Sequence, residues 1–143
     1  MENILKLYGA EVGDCIELPF VGNVKTGFPS PADDFIESSI DLNKILIKHK
    51  DSTFFAKVKG DSMRDIGIDE GDLLVIDKLI QPQNHDIVVC FLEGAFTCKR
   101  LKKEEDRLWL IAENTSYAPI EITSSDQFLI WGVVLHSIKT FKK

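Results

Sequence analysis

Cysteine is scarce, and its pattern suggests no pairing. The chain holds three, Cys15, Cys90 and Cys98, with no C-x-x-C pair and no histidine at zinc-finger spacing, which argues against a disulfide-stapled scaffold and against a zinc ribbon. If Glu93-Gly94 makes a hairpin turn, Cys90 faces Thr97 across the ladder instead of Cys98, so three reduced thiols are expected. The histidines, His49, His85 and His136, are isolated, and no H-E-x-x-H or acidic metal loop occurs. Neither a metal nor another cofactor is expected. Basic charge is also short: 17 Lys and Arg against 23 Asp and Glu leave a net charge of −6, which disfavours strong direct binding to nucleic acid. Long apolar runs are missing too. The longest, residues 128–135, falls far short of the roughly 20 residues that span a bilayer. The opening MENILKLYGAEVGDCIELPF has no basic segment followed by an apolar one. The expectation is a soluble, cytoplasmic chain with no membrane association.

What the sequence does contain is enough for one domain with a core: 143 residues, 44% of them hydrophobic. Residues 1–40 differ from the rest. Gly9, Gly13, Pro19, Gly22, Gly27, Pro29 and Pro31 punctuate them every few positions, and no run sustains a 3.6 or 2.0 period. They read as an irregular N-terminal arm, in which Lys25-Thr26-Gly27-Phe28-Pro29-Ser30-Pro31 cannot be helical and can lie as a strand in a groove. Between Ala32 and Ile47 a helix of one or two turns is expected, capped by Asp33 or Asp41.

From Thr53 the chain turns to short β-branched and aromatic runs. Residues 53–58, 72–76, 86–92, 95–101, 108–112, 120–123 and 128–137 all read as strands. Gly60-Asp61, Asp69-Glu70-Gly71-Asp72, Pro82-Gln83-Asn84 and Glu93-Gly94 read as the turns between them. The fold class is therefore mainly β, a compact antiparallel domain over residues 41–143 preceded by the arm. Trp109 and Trp131 read as packing residues, and Tyr117 and Pro119 as shaping a turn.

A catalytic serine needs a base beside it and a turn that lifts its oxygen clear. Gly60-Asp61-Ser62-Met63 offers such a turn after a strand, with main-chain N–H groups available to an oxyanion. A plain structural turn explains the same residues. The base is open between His85, His136 and a lysine. Lysine works only when neutral, which requires apolar burial. Lys99 lies inside a strand on the face shared by Ala95, Thr97 and Leu101, whereas Lys102 and Lys103 sit beside acidic residues as solvated surface.

Several motifs in series carry a resemblance. Gly27-Phe28-Pro29-Ser30-Pro31-Ala32, Ile40-Asp41-Leu42-Asn43, Gly60-Asp61-Ser62-Met63, Ile68-Asp69-Glu70-Gly71-Asp72-Leu73-Leu74, residues 94–101 (GAFTCKRL) and residues 114–120 (NTSYAPI) occur in order. From about Pro19 onward the chain resembles the UmuD family, bacterial relatives of LexA that cleave themselves and then serve an error-prone DNA polymerase. The resemblance implies a LexA-like (β-clip) domain with Ser62 as nucleophile and Lys99 as general base. It also implies an oxyanion hole from the N–H groups of Asp61 and Ser62, and a cut between Thr26 and Gly27. The implied partners are a second copy in a homodimer, the RecA filament on single-stranded DNA as activator, and a UmuC-like polymerase in the SOS response.

One position departs from the family. Relatives carry alanine or cysteine before the scissile glycine, whereas the β-branch of Thr26 crowds the carbonyl to be attacked. Gly27 and Ser62 are 35 residues apart, a span of up to about 115 Å at roughly 3.3 Å per residue, so reach within one subunit or across a dimer is not limiting. The competing reading is a dimeric, non-catalytic interaction module for a polymerase. A trans-acting peptidase of the signal-peptidase kind shares the Ser-Lys chemistry but should carry a membrane anchor.

Overall fold

A computed structural model describes residues 6–9, 17–21 and 36–142. Ten strands occur among them: β1 Lys6–Gly9, β2 Glu17–Val21, β3 Ile36–Asp41, β4 Thr53–Lys57, β5 Leu73–Asp77, β6 Ile87–Leu92, β7 Ala95–Lys103, β8 Leu108–Ile111, β9 Ile120–Ile122 and β10 Phe128–Ile138. Eight form one antiparallel sheet in the order β1-β4-β5-β10-β6-β7-β8-β9, and β2 pairs with β3 in a second, two-stranded sheet. No helix among the described residues is long and apolar enough to cross a membrane.

The seven strands expected after Thr53 are all present, each within two residues of its expected ends. The β6–β7 hairpin turns on Glu93 and Gly94, with φ of 48° and 86°. Two positive values at the central positions are what a tight turn between twisted strands demands. Its register sets Cys90 opposite Thr97, and Cys90 and Cys98 are free thiols. Cys15 lies outside the described residues.

Within the segment read as an arm, β1 and β2 are strands, and β1 lies along the edge of the main sheet against β4. The helix of one or two turns expected between Ala32 and Ile47 is present at the end of that span, capped by Asp41. Ile36–Asp41 is strand, and α1 (Leu42–Leu46) follows it, with the Asp41 carboxylate accepting from the Asn43 N–H at 2.9 Å. Asp33 lies outside the described residues.

The main sheet is covered on both faces. Strict alternation along β6 and β7 sorts the side chains: Val89 and Cys98 join Ala56, Val58, Met63, Leu74 and Ile76 on one side, while Val88, Cys90, Leu101, Leu110 and Val133 pack on the other. Trp131 stacks edge-on with Phe54 and Phe96, as a packing residue should. Buried carboxylates hold both ends of β5. Asp72 takes the Lys139 ammonium at 2.7 Å and the Asp69 N–H at 2.9 Å. Asp77 accepts from Ser52 Oγ and the Leu79 N–H, both at 2.8 Å, and lies 2.6 Å from His49 Nδ1.

Strand β10 bulges between Ile130 and Gly132 and again between Val134 and His136. Gly132 sits where β10 closes on β5, and a Cβ there would meet Ile76 Cγ2 at 2.5 Å and the Asp77 carbonyl oxygen at 3.3 Å. Gly132→Ala is expected to destabilise the fold by about 1–3 kcal/mol through overpacking. Urea unfolding checks this, and a variant as stable as wild type would show that the sheet absorbs a methyl group at this crossing.

Candidate active site

Ser62 sits on the connection between β4 and β5. The chain leaves β4 through Gly60, whose φ is 89° and whose N–H donates to Glu70 Oε1 at 3.0 Å. After Ser62 it winds into a 3₁₀ turn, Arg64–Ile66. The fully buried Met63 side chain anchors this turn in the core, and its sulfur accepts from the Glu113 N–H at 3.4 Å. The Asp65 N–H donates to the Glu113 carbonyl at 2.7 Å. The turn carrying Ser62 is thus tied to the end of β8, some fifty residues away in sequence.

Lys99 occupies the middle of β7, opposite Val88 on β6. Alternation places it on the same face as Leu101, over the cluster of Val88, Cys90, Leu110 and Val133. Lys99 is 4% exposed and Ser62 0%. The Lys99 Nζ lies 3.0 Å from Ser62 Oγ, 2.8 Å from Thr97 Oγ1 and 3.2 Å from the Cys98 carbonyl oxygen. Burial pushes the amine below the ordinary lysine value, and the Cys98 and Cys90 thiols oppose that shift without reversing it. Burial likewise drives those two thiols up to about 12, which leaves them protonated and unreactive.

The three neighbours of Nζ suit a neutral amine. An uncharged amine has two N–H donors and one lone pair. The Cys98 carbonyl only accepts, the Thr97 hydroxyl oxygen accepts, and the Ser62 hydroxyl is left to donate its proton to the lone pair. That arrangement is chemically a hydroxyl with a base in hydrogen-bond contact.

The other sequence candidates fall elsewhere. His85 lies on an exposed turn, its N–H donating to the Leu101 carbonyl at 2.8 Å. His136 lies on β10 opposite Val75. Lys102 and Lys103 are exposed at the end of β7. Thr26 and Gly27 lie outside the described residues. Among the described residues no three His, Cys, Asp or Glu side chains are grouped to hold a metal ion.

Asp61, next to Ser62, is held by Asn114, Arg64 and Tyr117, to none of which the sequence assigned this contact. Its carbonyl accepts from Asn114 Nδ2 at 2.8 Å and from the Arg64 N–H at 3.2 Å. Its carboxylate accepts from the Tyr117 hydroxyl at 2.6 Å, and that hydrogen bond raises the Tyr117 phenol above its ordinary value. Tyr117 does shape a turn, its N–H reaching the Asn114 carbonyl at 3.0 Å. Thr97 was legible only as a neighbour on the Lys99 face. Asn114 carries no local signal of a tie to a residue 53 positions away.

The architecture is that of a LexA-like antiparallel β-domain. The Peptidase S24-like family profile matches residues 19–135, and the chain belongs to that family. It is 38% identical over 129 residues to the LexA repressor of Ectopseudomonas mendocina, covering 88% of this chain and 63% of that protein. To Protein SamA of Salmonella typhimurium it is 39% identical over 115 residues, covering 80% and 79%. To Protein ImpA of the same species it is 37% identical over 120 residues, covering 83% and 81%. The chain therefore spans less than two thirds of the length of that LexA repressor and most of the length of SamA and ImpA.

The Thr97 hydroxyl bears on the charge of Lys99. An acceptor favours the ammonium over the amine, because the charge-assisted bond is the stronger. Thr97→Val is therefore expected to move the Lys99 titration still further below the ordinary lysine value. Nitrogen NMR of the labelled Nζ against pH reads this directly, and an upward shift would contradict the assigned donor and acceptor roles.

Proposed function

We propose that this chain is a UmuD-like serine autopeptidase that cuts its own backbone between Thr26 and Gly27. The observation that carries the reading is the buried Lys99 amine 3.0 Å from the Ser62 hydroxyl. The neutral amine takes the Ser62 proton as Oγ attacks the Thr26 carbonyl carbon, and the N–H groups of Asp61 and Ser62 receive the negative charge that builds on the carbonyl oxygen. The resulting ammonium returns its proton to the Gly27 nitrogen as the peptide bond breaks, leaving an ester between Thr26 and Ser62. Water, deprotonated by the regenerated amine, then hydrolyses the ester. Tethering makes the encounter intramolecular and raises the effective concentration of the scissile bond.

The resemblance extends the reading to biology. RecA on single-stranded DNA favours the cut-ready arm, and the processed chain, as a cytoplasmic homodimer, serves a UmuC-like polymerase in translesion synthesis during the SOS response. The similarity to SamA and ImpA along most of their length supports this branch of the family over a repressor.

Cutting should accelerate as pH rises and level off below the ordinary lysine value of 10.5, because burial lowers the Lys99 pKa and only the neutral amine accepts a proton. Incubation of the purified chain from pH 7 to about 10, with and without RecA, nucleotide and single-stranded DNA, followed by mass spectrometry under denaturing conditions, tests this. Ser62→Ala and Lys99→Ala should each stay folded and uncut. A flat profile, a new N-terminus other than Gly27, or full cutting by Lys99→Ala would overturn the reading.

The topology adds a consequence. Strands β1 and β2 precede the proposed cut, and they are laddered to β4 and β3, which follow it. Breaking the bond after Thr26 leaves both ladders in place. Residues 1–26 are therefore expected to co-elute with the rest of the chain on native gel filtration just after cutting, although denaturing mass spectrometry shows two pieces. Separation as fast as cutting would show that these ladders do not hold the fragment.

A further inference from the structure

The amide of Asn114 and the phenol of Tyr117 converge on the single residue before Ser62, from a turn that is itself closed. The Ser116 N–H donates to Asn114 Oδ1 at 3.0 Å, and the Tyr117 N–H donates to the Asn114 carbonyl at the same distance. This fixes which way the Asn114 amide faces, since its oxygen is taken by an N–H donor and its nitrogen meets the Asp61 carbonyl, which can only accept. The Asn114 side chain is 3% exposed, so an unpartnered amide there would be costly.

The Asp61 carbonyl and the Ser62 N–H belong to one planar peptide unit and point in opposite directions across it. Whatever holds the oxygen also sets the direction of the N–H. A hydrogen bond to the oxygen further polarises the unit and strengthens the N–H as a donor. The Tyr117 hydroxyl, bonded to the Asp61 carboxylate at 2.6 Å, restrains the same residue through its side chain. Neither group hydrogen-bonds Lys99, whose Nζ meets Ser62, Thr97 and Cys98 among the described residues.

We infer that Asn114 and Tyr117 are positioning residues that aim the Asp61–Ser62 peptide as the oxyanion donor of self-cleavage, acting through Asp61 without touching the scissile bond. The inference rests on the peptidase reading above. It separates two functions of the site: Thr97 and the apolar face govern whether Lys99 carries a proton, and the Asn114–Tyr117 turn governs how well the charged intermediate is held.

The test is the self-cleavage rate against pH, from about 7 to 10.5, for the wild-type chain, Asn114→Asp and Tyr117→Phe, with folding followed by near-ultraviolet circular dichroism. Asn114→Asp keeps the acceptor for the Ser116 N–H and sets an oxygen against the Asp61 carbonyl. Loss of an oxyanion donor costs about 100- to 1,000-fold in rate, so misaiming one is expected to lower the plateau by about 10- to 100-fold. Tyr117→Phe, which removes one oxygen, is expected to lower it about 3- to 10-fold. The Tyr117→Phe profile should keep the wild-type midpoint, whereas the new carboxylate of Asn114→Asp should also raise it, so for that variant the plateau is read. A folded variant with the wild-type plateau, or a loss that comes entirely from a shifted midpoint, overturns the inference. Should Asn114→Asp fail to fold, Tyr117→Phe decides on the same criteria. A wild-type chain that is never cut sinks the peptidase reading and this inference together, whereas wild-type cutting with unaffected variants sinks only this one.

Discussion

Taking an amine out of water is the constraint on which the rest of this site depends. A lysine ammonium on an apolar sheet face loses its hydration and recovers little from neutral neighbours, so the cheaper state is the one without the proton. The β6–β7 ladder shifts the balance toward that state by burying the amine and lowering its pKa. It sets Lys99 opposite Val88, and alternation then surrounds it with Leu101, Cys90 and Leu110. Among the described residues no carboxylate is placed to hold the charge: Nζ meets two hydroxyls and a carbonyl. An adjacent aspartate would hold the ammonium and disable it as a base. The choice of uncharged partners is what makes the geometry useful.

Much of this was legible because it is local. The Glu93-Gly94 pair announces a tight turn, a tight turn fixes the register of the strands it joins, and that register alone puts Cys90 opposite Thr97 and Lys99 on the face of Leu101. The missed elements depend on distant partners. Ile36–Asp41 has its apolar residues, Ile36 and Ile40, four apart, a spacing that suits a helix, and it is a strand because β2 lies beside it. The four residues of β1 carry no alternation that marks them, and they are extended because β4 offers an edge. The tie from Asn114 to Asp61 crosses the whole middle of the chain, and no spacing rule reaches that far. From its strand Lys99 was one candidate base among several, and the family resemblance singled it out; the groups that hold Asp61 carried no such signal.

The connection that carries Ser62 is held by different means from the strand that carries Lys99. Lys99 is placed by a continuous backbone ladder, and its neighbours follow from pairing. Ser62 has no ladder. It is located by a buried methionine on one side, the Glu113 main chain beneath, and the Asn114 and Tyr117 side chains on the residue before it. Each tie acts on a different atom of the connection, so its position is the sum of side-chain contacts where that of Lys99 is set by main-chain pairing.

Two buried ionisable groups give the fold a common direction of pH response in separate windows. Lys99 has a folded pKa below its unfolded one, so as pH falls from about 10.5 toward the folded value the unfolded chain takes up a proton that the native chain refuses. Stability falls across that window. At Asp77 burial alone would raise the carboxyl, but the hydrogen bonds from His49, the Leu79 N–H and Ser52 outweigh it and leave the pKa below the ordinary carboxylate value of 3.8. Its contribution is complete above that value and is lost as pH falls through the folded pKa. Both groups therefore favour the fold with protons removed. Burial of Lys99 lowers its pKa and costs stability below 10.5, whereas the ionised Asp77 holds the end of β5 that adjoins His49 and Ser52. Apolar packing offsets the penalty of burying Lys99: Val89 packs on one face of β6, Val88 and Cys90 on the other, and Lys99 lies over the cluster around Val88 and Leu101.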